Sequence, residues 1–350
     1  SLLLEAPYPT RKIEENLADL HAALAANRNG EAALKVLIRE EGLTKVLTYM
    51  KLLKSHSSEK MRSILRKMHN GVHTAEERLD DGTPLKVSAA VDGETCTIDF
   101  SGSGEVHPGN LNATRAIVNS VVIYVLRILI GEAIPLNDGI LDPIDIVLPE
   151  GMLNPSFPED PEQCPAIVGG NVEVSQRLTD TLLKAFGIVA CSQGTMNNVM
   201  FGNENYSYYE TICGGCGAGK HFDGGSALHN HMTNTRITDP EIMENRYPVR
   251  LEEFSVRENS GGRGRYNGGD GVIRRILFLE DADLSILSQH RTVKPYGVAG
   301  GTAGELGEQW IVRKDGREEL LEGVDGTYVY SGDRLVIRTP GGGGYGKPFR

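Results

Sequence analysis

The chain has 350 residues, 39% of them hydrophobic and 24% charged, which is material for one large or two smaller buried cores. A net charge of −11 argues against nucleic acid or an anionic membrane as the main partner, since both select basic surface. The longest apolar run, Ile117 to Ile130, is interrupted by Asn119, Ser120 and Arg127 and falls short of the roughly 20 residues that cross a bilayer.

The first residues, Ser1-Leu-Leu-Leu-Glu5, lack the basic region, long apolar stretch and small-residue cleavage site of a signal peptide. The sequence does not begin with Met, which suggests processing or a fragment. Five cysteines, an odd number spread from Cys96 to Cys216, fit a reducing cytoplasm better than a disulfide framework. A cytoplasmic location is expected.

From Lys12 to His69, Ile13, Leu17, Leu20, Leu24, Leu34, Val36, Leu37, Met61, Ile64, Leu65 and Met68 recur at helical spacing. They predict two or three amphipathic helices, broken at Asn27-Arg-Asn-Gly30 and near Ser55 to Ser58. Asp80-Asp-Gly82 is a turn signal. Alternation in Leu85 to Val91 and Thr95 to Phe100 across Asp92-Gly93 predicts a β-hairpin. Ala113 to Ile130 reads as a mostly buried helix, Ile144 to Leu148 as a short strand, and Val172 to Phe186 as an amphipathic helix. After Gly187 short strands alternate with glycine: Met196–Met200, Tyr206–Ile212, Ser226–Thr233, Val249–Arg257, Gly271–Leu279, Leu284–Leu287, Gln309–Val312, Thr327–Tyr330 and Arg334–Arg338. The expected class is α+β, with a helical segment (1–75), a mixed α/β region (76–190) and a glycine-rich, strand-rich region (191–350) that carries the candidate site.

The densest block of polar and unhindered residues is Tyr206 to Gly271. His229 and His231 would face one side of a strand and could share a metal, with Asp223 or Glu210 as a carboxylate; the alternative is hydrogen bonding within a polar cluster. Without a third ligand fixed by spacing, no metal site is assigned to this chain. Cys213-Gly-Gly-Cys216 has the gap of zinc and redox sites but no second pair, so it reads as small residues in a turn. Gly214 to Gly219 and Gly261 to Arg265 could cradle an anion or simply turn the chain; neither is a P-loop or a dinucleotide fingerprint. Asn171 and Glu173 stand where a helix begins, able either to orient a ligand or to cap, with capping favoured for Glu173. Cys191, Ser192 and Thr195 are conceivable nucleophiles outside any Gly-x-Ser-x-Gly elbow.

Taken in order, these blocks resemble the hydantoinase B family, comprising the B subunits of ATP-dependent N-methylhydantoinases and the C-terminal half of 5-oxoprolinase. The match is carried by Asp80-Asp-Gly-Thr-Pro84, Gly109-Asn-Leu-Asn112, Ile134-Pro-Leu-Asn-Asp-Gly139, Gly169-Gly-Asn171, Asn197-Asn198, Tyr208-Tyr-Glu-Thr211, His231-Met-Thr-Asn-Thr-Arg236 with Ile237 to Glu241, Lys294-Pro-Tyr-Gly297 and Thr339 to Gly346. It extends over nearly the whole chain. The resemblance implies ATP-dependent opening of 5-oxoproline, a hydantoin or a related lactam. In such systems an A-type partner binds ATP with Mg and phosphorylates the amide, and the B-type part completes hydrolysis. It further implies a divalent metal held by an N-terminal segment rich in histidine and aspartate, upstream of where this sequence starts. Glu210, Asp223, His229 and His231 are the catalytic candidates, and Asn171 and Arg236 the substrate-binding ones. An acetone-carboxylase-like α subunit and a structural subunit shaping another chain's site are the alternatives.

Overall fold

The computed structural model describes residues 3–5 and 13–348; Lys12, where the helical pattern begins, lies outside them. The architecture is α+β, with helices first and antiparallel sheets after. The backbone divides into two compact units, the chain up to Lys60 with Ala133–Ile140, and Met61–Glu132 with Leu141–Arg350.

The first unit is built on α1 (Ile13–Glu41) and on α2 (Leu43–Lys67), whose last turns enter the second unit. The helices part at Gly42, in the left-handed region at φ +82°, and not at Asn27-Arg-Asn-Gly30, which lies inside α1. One helical glycine costs only about 1 kcal/mol, so flanking alanines and leucines carry the helix through it. Ser55 to Ser58 likewise stays inside α2. Within this unit the Ala133–Ile140 loop returns to α2: Asn137 Nδ2 donates to Ser57 Oγ at 2.9 Å and Lys54 pairs with Asp138 at 3.1 Å.

The second unit begins with a sheet of β1 (Gly71–Arg78), β2 (Pro84–Asp92), β3 (Thr95–Asp99) and β4 (Ile144–Val147). The expected hairpin joins β2 and β3, and the Asp80-Asp-Gly82 turn joins β1 to β2. β1, with Glu76 and Glu77 in it, shows no apolar alternation and is not foreseen. β4 runs parallel to β3 after a crossover that contains α3 (Arg115–Ile130), whose Val118, Val121, Val122 and Val125 are buried. A π-turn over Gly170–Val174 leads into α4 (Ser175–Phe186). α4 contacts α3 on one side and β1 and β2 on the other, so the polar face expected to meet solvent is buried: Arg177, Thr179, Asp180 and Thr181 are each at most 1% exposed. Internal hydrogen bonds make that tolerable; Arg177, for example, donates to the Arg78 carbonyl at 2.7 Å.

The remaining chain supplies β5 (Asn198–Gly202), β6 (Ser207–Glu210), α5 (Pro240–Arg246), β7 (Val249–Arg257), β8 (Gly271–Phe278), β9 (Ala282–Leu287), β10 (Glu308–Val312), β11 (Glu318–Leu320), β12 (Val324–Val329) and β13 (Arg334–Arg338). They form a five-stranded sheet ordered β11-β10-β13-β8-β7 and a four-stranded sheet ordered β12-β9-β5-β6. Phe201, Tyr208, Leu284 and Ile286 of the smaller sheet share one core with Ile276, Phe278, Leu335 and Ile337 of the larger; burying each aliphatic or Phe side chain contributes about 1.5–3 kcal/mol. Ser226 to Thr233 is not a strand. Ala227 (φ +55°) and His231 (φ +48°) both take left-handed backbone there, which breaks the two-residue alternation.

The glycine blocks pack against one another, and the one at Gly261–Arg265 also bends, with Gly268 N–H donating back to Gly262 O at 2.8 Å. They exchange backbone hydrogen bonds between segments: Gly262 N–H to Gly342 O, Gly342 N–H to Gly269 O, Gly269 N–H to Cys216 O and Ala218 N–H to Gly343 O, all at 2.8–3.0 Å. Backbones this close leave no room for side chains. A Cβ on Gly342 would sit 2.0 Å from the Cys216 carbonyl oxygen. Among the described residues no helix is long and apolar enough to cross a membrane.

Candidate functional site

Period-two geometry gives the four-stranded sheet two different faces. Val199, Phe201, Tyr208 and Glu210 point into the core, and the residues between them point the other way. Tyr209 pairs with Met200, Met200 with Ser285, and Ser285 with Gly326, a row running across all four strands on the outer face. This row, with Asn198, Leu287 and Val324 beside it and Val168, Val172 and Asn110 at its rim, lines a cavity of about 590 Å³. Its walls are mainly aliphatic. Its polar features include Asn198 and the Tyr209 hydroxyl, which lie 2.6 Å apart.

A second cavity of about 740 Å³ shares Asn110 and Val324 with the first. It is polar at its base, where the Asp80-Asp-Gly82 turn meets the segment from Gln289 to Thr292. Asp80 organises that segment, accepting from the backbone N–H of Arg291, Thr292 and Val293 at 2.7–3.2 Å. Arg291 in turn donates to Gln309 Oε1 (2.6 Å), the Gln289 carbonyl (2.7 Å) and Asn197 Oδ1 (2.9 Å). None of these acceptors is a carboxylate. Burial pushes the guanidinium down to about 10, so it remains charged at neutral pH and presents positive charge to the cavity.

Asp81 and His107 stand on the same wall. His107 Nδ1 accepts the Gly109 N–H at 2.9 Å, which places the ring proton of the neutral form on Nε2, 2.6 Å from Asp81 Oδ2. Partial burial opposes the charge on Asp81, yet the Thr83 amide and His107 hold it below the usual carboxylate range. Asp81 is therefore an ionised acceptor suited to orienting a water or an N–H, and a weak base.

Behind the aliphatic cavity lies Glu173, fully buried. It does not cap α4. Its Oε1 accepts from Met196 N–H (3.0 Å) and Asn198 Nδ2 (2.7 Å), and its Oε2 has no partner. Burial pushes the carboxyl up to about 8 from an unfolded value near 4.5. Between these values the folded chain holds a proton that the unfolded chain has released, so this group's contribution to stability falls as pH rises from about 4.5 to 8 and is level above. Glu173→Gln removes that dependence. In urea unfolding from pH 5 to pH 9, the wild type is expected to lose stability relative to the glutamine variant; parallel profiles would mean that Glu173 is already ionised at pH 5.

The six residues singled out from sequence do not line either cavity. Glu210 is bound by Arg274 through both oxygens, at 2.7 and 2.9 Å, and also accepts from Tyr208. Asp223 is exposed, and its Oδ1 accepts the Asn267 N–H at 2.6 Å. His229 has both ring nitrogens buried without a partner, and burial lowers its pKa. His231 instead pairs with Asp180 Oδ1 at 3.1 Å and lies 3.2 Å from the Tyr124 hydroxyl. The shared strand face proposed for the two histidines is absent because the segment is a loop. Asn171 is exposed in the π-turn, where its carbonyl accepts from Ser175 Oγ, and Arg236 is exposed on the loop before α5.

Cys191, Ser192 and Thr195 are all buried. Burial also drives the Cys191 thiol well up, and the Cys213 thiol to about 11, which removes thiolate character. Among the described residues no group of three or more His, Cys, Asp or Glu could hold a metal ion. The cavity-lining residues Asp80, Asp81, Asn110, Asn198 and Tyr209 do belong to the ordered sequence blocks. His107 and Arg291 lie outside them, and no local pattern marks either.

Residues 1–348 match the family described as Hydantoinase B/oxoprolinase. The chain is similar to 5-oxoprolinase 1 of Arabidopsis thaliana, 44% identical over 353 residues that cover 96% of this chain and 28% of that protein. In structure it is similar to an ATP-dependent caprolactamase from Pseudomonas jessenii, with TM-score 0.82 at 22% identity over 99% of this chain and 63% of the other. It is also similar to an acetone carboxylase, with TM-score 0.74 at 16% identity over 90% of this chain and 50% of the other. The chain thus spans less than a third of the plant relative.

Proposed function

Because the chain belongs to the Hydantoinase B/oxoprolinase family, we propose that it is the B-type part of an ATP-dependent cyclic amidase, completing hydrolysis after an A-type partner has phosphorylated the amide. The observation that supports this best is convergence: residues from blocks as far apart as Asp81, Asn110, Asn198 and Tyr209 meet on two adjoining cavities with mainly apolar walls, the second carrying Asp81, His107 and Arg291. A lactam ring is an aliphatic loop carrying one polar edge, and mainly apolar walls with a few charged and polar groups at the base of the second cavity suit such a ring. Phosphorylating the amide oxygen makes a poor electrophile reactive, and the attack then develops negative charge that preorganised donors stabilise. Arg291 is such a donor, and Asp81 orients the water. Strong activation of that water, and ATP with its Mg, belong to partner chains or segments in this scheme, with a divalent metal on the segment carrying the family's histidine and aspartate motifs. A nearby cation would suit the ionised Asp81.

The test is reconstitution with an A-type ATP-binding subunit, measuring ATP consumption and ring opening of 5-oxoproline, hydantoin and caprolactam. Arg291→Lys keeps the charge but loses the planar fork, and is expected to lower coupled ring opening by roughly 10²-fold with assembly unchanged. Unchanged turnover would favour a structural subunit whose site is carried elsewhere. A bicarbonate requirement would favour carboxylation, the chemistry suggested by the second structural relative.

A further inference from the structure

Building on the cyclic-amide reading above, we propose that Tyr209 selects rings bearing an unsubstituted N–H, so that this chain discriminates N–H lactams from their N-alkylated counterparts. The argument starts at Asn198. Its Nδ2 lies 2.7 Å from Glu173 Oε1 and 2.7 Å from the Leu287 carbonyl oxygen. The Leu287 carbonyl can only accept, so the amide is fixed with nitrogen toward Leu287 and Oδ1 on the opposite side. Oδ1 is an acceptor, and the Tyr209 hydroxyl 2.6 Å away must therefore donate to it. Once its single proton is committed, the phenolic oxygen has only lone pairs to offer.

Tyr209 is about half exposed and lines the aliphatic cavity. A ligand that fills this space against Val168, Val172 and Met200 meets a hydrogen-bond acceptor at the Tyr209 oxygen. The N–H of the intact lactam, as it binds and before its oxygen is phosphorylated, satisfies it; an N-methyl group leaves it unpaired and adds bulk at the same point. Glu173 and the Leu287 carbonyl act as positioning groups, since they hold Asn198 and through it the direction of the tyrosine proton.

The experiment compares wild type with Tyr209→Phe, which keeps the ring and removes the oxygen. In the reconstituted complex, kcat/KM is measured for a turned-over lactam and its N-methyl derivative. In parallel, the purified chain is titrated with 2-pyrrolidinone and N-methyl-2-pyrrolidinone by ligand-observed NMR. The wild type is expected to prefer the N–H compound in both formats. Tyr209→Phe is expected to lose about five- to tenfold on the N–H compound, the worth of one hydrogen bond, and nothing on the N-methyl compound. Asn198 Oδ1 is no full substitute, because it sits 2.6 Å behind the lost oxygen. Equal losses on both compounds, or no N–H preference in wild type, overturn the proposal. Discrimination in binding without turnover under any partner would support the N–H site while counting against the amidase function, so the two failures are distinguishable.

Discussion

Gly342→Ala is expected to abolish folding of the second unit or to destabilise it by on the order of 3 kcal/mol or more. The added Cβ would lie 2.0 Å from the Cys216 carbonyl oxygen and 2.3 Å from its carbon, both backbone atoms locked by hydrogen bonds to neighbouring glycine segments. Cys216 O accepts from Gly269 N–H, and Gly342 N–H donates to Gly269 O, so a displacement at one segment passes directly to the next. Two other glycines serve as controls. Gly316, with φ +90° and nothing within 4 Å, should lose only about 1–2 kcal/mol as alanine, the strain of left-handed backbone. Gly30, also with nothing within 4 Å and inside α1, should gain about 0.5–1 kcal/mol. Circular dichroism with urea unfolding measures all three. A Gly342→Ala chain as stable as Gly316→Ala would show that the glycine segments can separate.

That contrast explains which parts of the fold were legible. The β2–β3 hairpin, the buried α3, α4 with its Gly187 stop and strands β7, β8 and β13 follow from periodicity and punctuation in sequence. Clustering of glycine in the second half was visible too, but its meaning was not. Glycine serves turns, cradles and backbone packing equally well, and only the spatial neighbour of each Cα separates them. The amphipathic pattern of Val172 to Phe186 is similarly incomplete: Arg177 and Asp180 are interior because α3 and the first sheet enclose α4.

The site was legible in its blocks and illegible in its members. Tyr209 and Glu210 are adjacent in sequence, yet strand alternation sends the first to the cavity and the second into the core. Residue type alone does not say which of the two faces the cavity; the register with β5 assigns the faces. Arg291 and His107 could not be found from motif spacing at all, since their partners Gln309, Asn197 and Asp81 are distant along the chain and meet only in three dimensions.

Glu210 itself leads to the second large effect. Its carboxylate and the Arg274 guanidinium are 3% and 1% exposed and joined by two hydrogen bonds, within the core between the two sheets. Glu210→Ala leaves Arg274 charged and buried, near the Met243 sulfur at 3.6 Å and the Phe254 ring at 5.1 Å, with Nη1 already lacking a partner. Removing one partner of such a pair costs about 3–5 kcal/mol, whereas replacing both by apolar residues of similar volume is often neutral or stabilising. The expected result is therefore a strongly destabilised Glu210→Ala chain and a double variant, Glu210→Met with Arg274→Met, that recovers most of the loss. The same pair of variants tests the role assigned from sequence. If Glu210 acts on substrate, the double variant folds but turns nothing over in the reconstituted complex. If it is an interior ion pair, as its burial and its two hydrogen bonds from Arg274 indicate, turnover returns along with stability.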